Sequence, residues 1–182
     1  MIYKTRSITL KDGRGAILRA PRESDAEEML EYLRTASGET DFLASYPEEL
    51  KFTAEGERAY LKNNLDSPNT MMLVCDVDGK IAGNSQIVFM SSLKTRHRAA
   101  VMIGLLREYW GLGIGSALFR EMEREAREHG TAQLELEMIE GNDRALALYR
   151  SAGFETMAEH PDAFRLHDGT SCAAVFMRKV LK

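Results

Sequence analysis

Hydrophobic positions in this chain recur with two different periods, and each change of period marks out an element. In "RSITLKDGRGAILRAP" short apolar runs flank Asp12-Gly13, a turn signal, and predict two strands. From Ser24 the period lengthens. Ala26, Met29, Leu30 and Leu33 share one helical stripe, and Ser24 with Glu27 has the spacing of a capping box. The polar, acidic "SGETDF" ends that helix, and a second is expected over residues 54–65 with Tyr60 and Leu61 turned to the core.

The middle of the chain changes to strand patterns. "TMMLVCDV" and "IAGNSQIVFM" flank "DGK", a strand, a turn and a strand, and "AAVMIGLL" over 99–106 predicts a third. A glycine-rich segment follows and opens a helix from about Gly113 to His129. Ile114, Leu118 and Met122 mark the apolar face of that helix, widened by Phe119 and Ala126. In "AQLELEM", Leu134, Leu136 and Met138 alternate with Gln133, Glu135 and Glu137, as in a half-buried strand. Asn142 can cap a short helix with Ala145, Leu148, Tyr149 and Ala152 inward, and Gly153 stops it. "FETMAE" and "AAVFMRKV" read as late strands joined by the polar loop "HPDAFRLHDGTSC". Strands with two crossover-like helices describe one mixed α/β domain over residues 1–182, without internal repeat or linker.

Composition narrows the function classes. The chain has 182 residues, 44% of them hydrophobic and 29% charged, enough for one real core. A formal net charge of -4 gives no reason to expect nucleic-acid binding, and "KTRHR" at Lys94–Arg98 reads as a solvated approach to a strand. Cys75 and Cys172 have no metal-ligand spacing, so no metal is expected, and Cys75 lies in an apolar run as a buried free thiol would. No apolar run has membrane-spanning length, and with no signal sequence the expected location is cytoplasmic.

The stretch "REYWGLGIGSALF" at Arg107–Phe119 carries the candidate chemistry. Gly111, Gly113 and Gly115 stand where a strand passes into a helix. Glycines there allow a close turn and leave amide hydrogens uncovered, while the first helix amides have no intrahelical partner. Such a nest can receive a phosphate or pyrophosphate without a lysine, and it can equally be a tight structural turn. A nucleotide P-loop would need a lysine and a hydroxyl after its glycines, whereas the chain has "GIGSAL". A dinucleotide fold would carry its glycines near the first strand.

"REYWGLGIGSALFREME" resembles the pyrophosphate loop and long helix of the GNAT superfamily of acyl-CoA-dependent N-acyltransferases. "NDRALALYRSAGF" at Asn142–Phe154 resembles the superfamily's next motif, and "LELEM" matches the intervening strand in kind and place. The resemblance covers most of Ala16–Val180, and its diagnostic portion is Ala99–Phe154. It departs at Trp110, where the family usually has Arg or Gln, although other members carry "YWG".

The resemblance implies a mixed central sheet with flanking helices and a splayed cofactor cleft, with acetyl-CoA as cosubstrate. An amide near Leu105 would bond the pantetheine arm or thioester carbonyl. The amides of Trp110, Gly111, Leu112, Gly113, Ile114, Gly115 and Ser116 would hold the pyrophosphate, with Trp110 packing beside the cofactor or in the core. Asn142, first a helix cap, would also shape the pantetheine channel. Tyr149 matches the family tyrosine placed near the cofactor sulfur, where a phenol can protonate the leaving thiolate, and its ring can also fill the core.

A base is less well marked, and Glu137, on a strand face with Glu135, is the choice here. It could bind a cationic acceptor and relay its proton, since a free amine titrates near ~10. His97, Glu39 and Asp41 are further candidates, the last two because that region borders the acceptor cleft in the superfamily. The loop around Phe164–Ser171 could set acceptor choice. The expected activity is N-acetyl transfer by direct attack to a small-molecule amine or a protein amino terminus. No nucleic-acid or membrane partner is expected, and a homodimer is possible. A non-enzymatic acyl-CoA-binding or sensor protein is the alternative.

Overall fold

The structure, a computed structural model, describes residues 1–181. In chain order it contains β1 (Arg6–Thr9), β2 (Gly15–Arg19), α1 (Ala26–Gly38), α2 (Ala54–Asp66), β3 (Thr70–Val77), β4 (Lys80–Phe89) and β5 (Arg98–Leu105). Then follow α3 (Ile114–Glu128), β6 (Gln133–Ile139), α4 (Asp143–Ser151), β7 (Glu155–Arg165) and β8 (Ser171–Val180). The strands form one mixed eight-stranded sheet in the order β1-β2-β3-β4-β5-β6-β8-β7. The expected α/β fold with a mixed sheet and flanking helices is the one observed. The chain divides into two units, Met1–Val88 with Met102–Leu118, and Phe89–Val101 with the chain from Phe119 on.

In the first unit β1 and β2 form the hairpin read from the sequence, paired from Arg6 with Leu18 to Thr9 with Gly15. The turn between β3 and β4 places Asp78 at φ 53° and Gly79 at φ 81°. Two left-handed residues match the twist of a two-residue hairpin. Nearly every residue of β3 is buried, because neighbours cover both its faces, and its sequence is accordingly a continuous apolar run. Met29, Tyr32 and Ala36 of α1 and Leu61 of α2 pack on Met72 and Val74 of β3. Each is almost wholly removed from water, which at ~25 cal/mol per Å² of apolar area is the main force holding both helices down.

Two expectations for these helices are corrected. Ser24 does not cap α1, because a single 3-10 turn at Glu23–Asp25 precedes it. Asp25 stands at the N-cap of α1 without a side-chain bond into the helix, and instead closes the preceding turn: its Oδ2 accepts from the Arg22 amide at 2.7 Å and from Arg19 Nη1 at 2.6 Å. Arg19 also reaches Asp76 at 3.1 Å, so a buried ion triad fixes the start of α1 against the sheet. Tyr60 does not turn to the core with Leu61. It is 45% exposed while Leu61 is fully buried, since Glu57, Leu61 and Asn64 form the inward stripe of α2.

In the second unit β5 pairs parallel with β6 from Arg98–Gln133 to Ala100–Glu135, and β6 pairs antiparallel with β8. The predicted face of α3 is observed: Ile114, Leu118, Met122 and Ala126 are fully buried at i, i+4 spacing. The late polar segment departs from expectation. Residues 160–165 of "HPDAFRLHDGTSC" belong to β7 and residues 171–172 to β8, so only residues 166–170 connect the two strands. A register shift between His160 and Phe164, with Asp162 at φ 52°, absorbs Pro161 and Asp162. On an outer strand such a bulge and a proline are tolerated, because one edge needs no partner. Phe164–Ser171 is therefore the closed end of a hairpin, with Phe164 opposite Cys172.

Candidate functional site

The glycine segment leaves β5 at Leu105 through a single 3-10 turn, Arg107–Tyr109, and enters α3 at Ile114. Gly111 has φ 79° and Gly113 φ 91°, a region costly for residues with a Cβ. A Cβ at Gly111 would meet nothing within 4 Å, so the backbone there borders open space. The amide of Ala117 donates to the Gly113 carbonyl at 3.0 Å and closes the first turn of α3. The amides of Ile114, Gly115 and Ser116 precede it and have no carbonyl one turn back within the helix. Uncovered backbone, left-handed glycines and a helix start together fit an anionic group.

Side chains brace this loop from several directions. The Trp110 indole Nε1 donates to the Leu105 carbonyl at 2.9 Å, and the Arg107 guanidinium lies 5.5 Å from its ring centre. Trp110 is thus a strut across the loop entry. Arg107 is in turn held by Glu39, whose Oε2 accepts from the Arg107 amide at 2.7 Å and whose carbonyl accepts from its guanidinium. From the β1–β2 turn, the Lys11 amide donates to the Leu112 carbonyl at 3.0 Å.

Beside Leu105 the strands leave no room for side chains. A Cβ on Gly83 would lie 2.2 Å from Leu105 Cδ2 and 2.7 Å from the Gly104 carbonyl oxygen. One on Gly104 would lie 2.8 Å from the Tyr32 hydroxyl, which donates to Asn84 Oδ1 at 3.0 Å. Burial pushes the Tyr32 phenol well above its ordinary value, so it stays protonated.

In the second unit, Asn142 caps α4 as expected, its Oδ1 accepting from the Ala145 amide at 3.1 Å. Tyr149 is buried on the same helix, edge-on to Phe119 at 5.6 Å and tilted against Phe154 at 6.3 Å. Burial pushes its phenol up to about 12. Glu137 is exposed on β6, whereas Glu135 is bonded to Arg98 and Gln133. The Arg98 guanidinium holds the Glu135 carboxyl below its usual range. Glu135 is thus committed to an ion pair. The His97 side chain is exposed, and its carbonyl accepts from the amides of Ala132 and Gln133. Asp41 is exposed.

Leu105 and Trp110–Ser116 therefore form one continuous structure that Glu39 joins, while Asn142 and Tyr149 share α4. Sequence reasoning did not find Lys11, nor the Glu39–Arg107–Trp110 brace, because each contact joins segments far apart in the chain. The glycines inside β4 and β5 were a legible sign of close backbone approach.

The sequence profile of the acetyltransferase (GNAT) family matches residues 28–154. The chain belongs to the GNAT family of acetyltransferases. Solved structures agree with this. A GNAT-family acetyltransferase from Streptococcus pneumoniae superposes with TM-score 0.85 at 27% identity, over 91% of this chain and 99% of that one. A ribosomal-protein-alanine N-acetyltransferase from Brucella melitensis gives TM-score 0.77 at 27% identity, over 90% and 99%. A putative acetyltransferase from Salmonella typhimurium, solved with its cofactor acetyl-CoA, shares the fold at 18% identity and TM-score 0.78, over 92% and 94%. Among the described residues of this GNAT acetyltransferase, no group of three or more His, Cys, Asp and Glu side chains is placed to hold a metal. No helix among them is long and apolar enough to cross a membrane.

Proposed function

We propose that this GNAT acetyltransferase moves the acetyl group of acetyl-CoA to a primary amine by direct attack, without a covalent enzyme intermediate. The observation that carries the reading is the glycine loop: two left-handed glycines and open space at Gly111, running into the first amides of α3. In this reading the backbone of Trp110, Gly111, Leu112, Gly113, Ile114, Gly115 and Ser116 binds the pyrophosphate, and the Leu105 amide orients the acyl arm. Bound acetyl-CoA supplies an activated thioester.

The chain's own residues then divide the work. Holding the two reactants in register supplies much of the advantage, and a backbone amide can stabilise a developing oxyanion. Tyr149 holds a proton at Oη throughout the neutral range, because burial pushes the phenol up to about 12. A phenol that weakly acidic donates a hydrogen bond to a departing sulfur and gives up its proton only as negative charge develops there. Asn142 fixes the start of the helix that carries it. Glu137, exposed and without the arginine that occupies Glu135, is assigned to draw the cationic acceptor and pass its proton to water.

The acceptor class is a small-molecule amine or a protein amino terminus, the latter supported by the name of the Brucella relative at 27% identity. The decisive experiment incubates the protein with acetyl-CoA and a panel of amines and short peptides, and reads acetylation by mass spectrometry. Tyr149→Phe should lower turnover by about 10²-fold, the usual scale for a general acid, while acetyl-CoA still binds. Unchanged turnover in that variant would remove Tyr149 from the chemistry. Acetyl-CoA binding with no acceptor modified across the panel would favour the acyl-CoA sensor instead.

A further inference from the structure

The glycine loop lacks, at Trp110, the cationic or amide side chain its family usually places there, and Trp110 itself is occupied with the Leu105 carbonyl. Three cations stand at or beside residues 107–113, and their commitments differ. Arg107 is bonded to the Glu39 carbonyl and lies over the Trp110 ring. Arg14 is paired with Asp12 at 2.8 Å and lies 5.7 Å from the Tyr109 ring centre. Lys11 is different. Its amide is pinned to the Leu112 carbonyl, and its side chain runs along the loop: a Cβ at Gly113 would meet its Cγ at 3.6 Å and its Cε at 3.8 Å. Lys11 is exposed, and no carboxylate pairs with it among the described residues.

We propose that Lys11, carried in from the β1–β2 turn, is a binding residue for the CoA pyrophosphate and supplies the cation that the loop itself lacks. The inference rests on the reading that the glycine loop holds this pyrophosphate. The backbone bond to Leu112 sets the lysine's stem, and the bare Gly113 lets its methylenes lie against the loop. Little side-chain freedom then remains to be lost when the ammonium meets an anion. A lysine so placed acts as a point charge, whereas the amides supply direction.

The test titrates the full chain with CoA and with 3′-dephospho-CoA, at low and high salt. The variants are Lys11→Met, which keeps most of the stem, and Lys11→Arg, which keeps the charge. Lys11→Met should weaken both ligands by the same factor, roughly tenfold, as expected for one charge-assisted contact. Its remaining affinity should fall less steeply with salt. Lys11→Arg should stay within about threefold of the parent, since charge rather than fork geometry is what the site uses. Parent-like CoA affinity in Lys11→Met would overturn the proposal. So would a loss confined to CoA, since that would assign the lysine to the 3′-phosphate, and so would an equal loss in Lys11→Arg, since that would mean packing. If the parent protein binds neither ligand, the pyrophosphate reading of the loop falls first and takes this inference with it.

Discussion

Gly111→Ala tests whether the left-handed backbone of the loop is there to bind. The added methyl would meet nothing within 4 Å, so the substitution introduces no clash, only the cost of φ 79°. For an L-residue with a Cβ that cost is about 1–2 kcal/mol. A free loop can shed it by leaving the left-handed region, but a ligand that needs the original backbone must then restore it. Affinity for CoA should therefore fall by about five- to thirtyfold. Gly79→Ala is the matched control: φ is 81°, the space is equally empty, and the site is the β3–β4 turn. Gly79→Ala, held in its tight hairpin, should lose stability and keep CoA, whereas Gly111→Ala should lose less stability and weaken CoA. Trp110, the chain's single tryptophan, stands next to Gly111, so its fluorescence can follow the titration. Equal CoA affinity in Gly111→Ala and Gly79→Ala would refute the argument.

Three further outcomes follow from the same structure. Arg19→Met would strand the nearly buried carboxylate of Asp25 together with Asp76, and should cost about 3–5 kcal/mol in denaturant unfolding. A loss under ~1 kcal/mol would show that the triad is not a functioning unit. Glu57 is buried with Oε1 unpartnered, and burial raises its carboxyl above the ordinary value. The folded state thus favours the protonated form, and this contribution is lost as pH rises through the raised value. The melting-temperature gain of Glu57→Gln over the parent should accordingly grow from acid to neutral pH, and parallel curves would contradict the burial. Burial, with Asp76 adding to it, pushes the Cys75 thiol up to about 12, whereas Cys172 is half-buried. A thiol reagent at mildly alkaline pH should titrate Cys172 in the native protein and reach Cys75 only on unfolding. Prompt reaction of both would show that the strand opens.

What was legible in the sequence was local. The glycines of 111–115, the i, i+4 stripe of Ile114, Leu118 and Met122, and the Asn142 cap depend on residues within a few positions of one another. The misreadings arose where a distant partner decided the outcome. Ser24 had capping spacing, yet Arg19 and Asp76 fixed Asp25 as the residue that closes the turn. Tyr60 and Leu61 are adjacent and both apolar, and only the packing of α2 on α1 and β3 chose Leu61. Polar residues 160–165 read as loop because polarity normally marks one, but an outer strand with a bulge needs no apolar face. The braces at the loop were invisible for the same reason. Nothing near Glu39 or Lys11 in sequence announces Arg107 or Leu112.

Calorimetric titration with acetyl-CoA beside S-acetylpantetheine tests the central claim most directly. The two share the thioester arm, and only the first carries the pyrophosphate. The loop geometry predicts saturable, one-site binding of acetyl-CoA and far weaker binding of the pantetheine derivative. Equal affinity for the two, or no binding of acetyl-CoA, would contradict the assignment of Gly111–Ser116 as the pyrophosphate site.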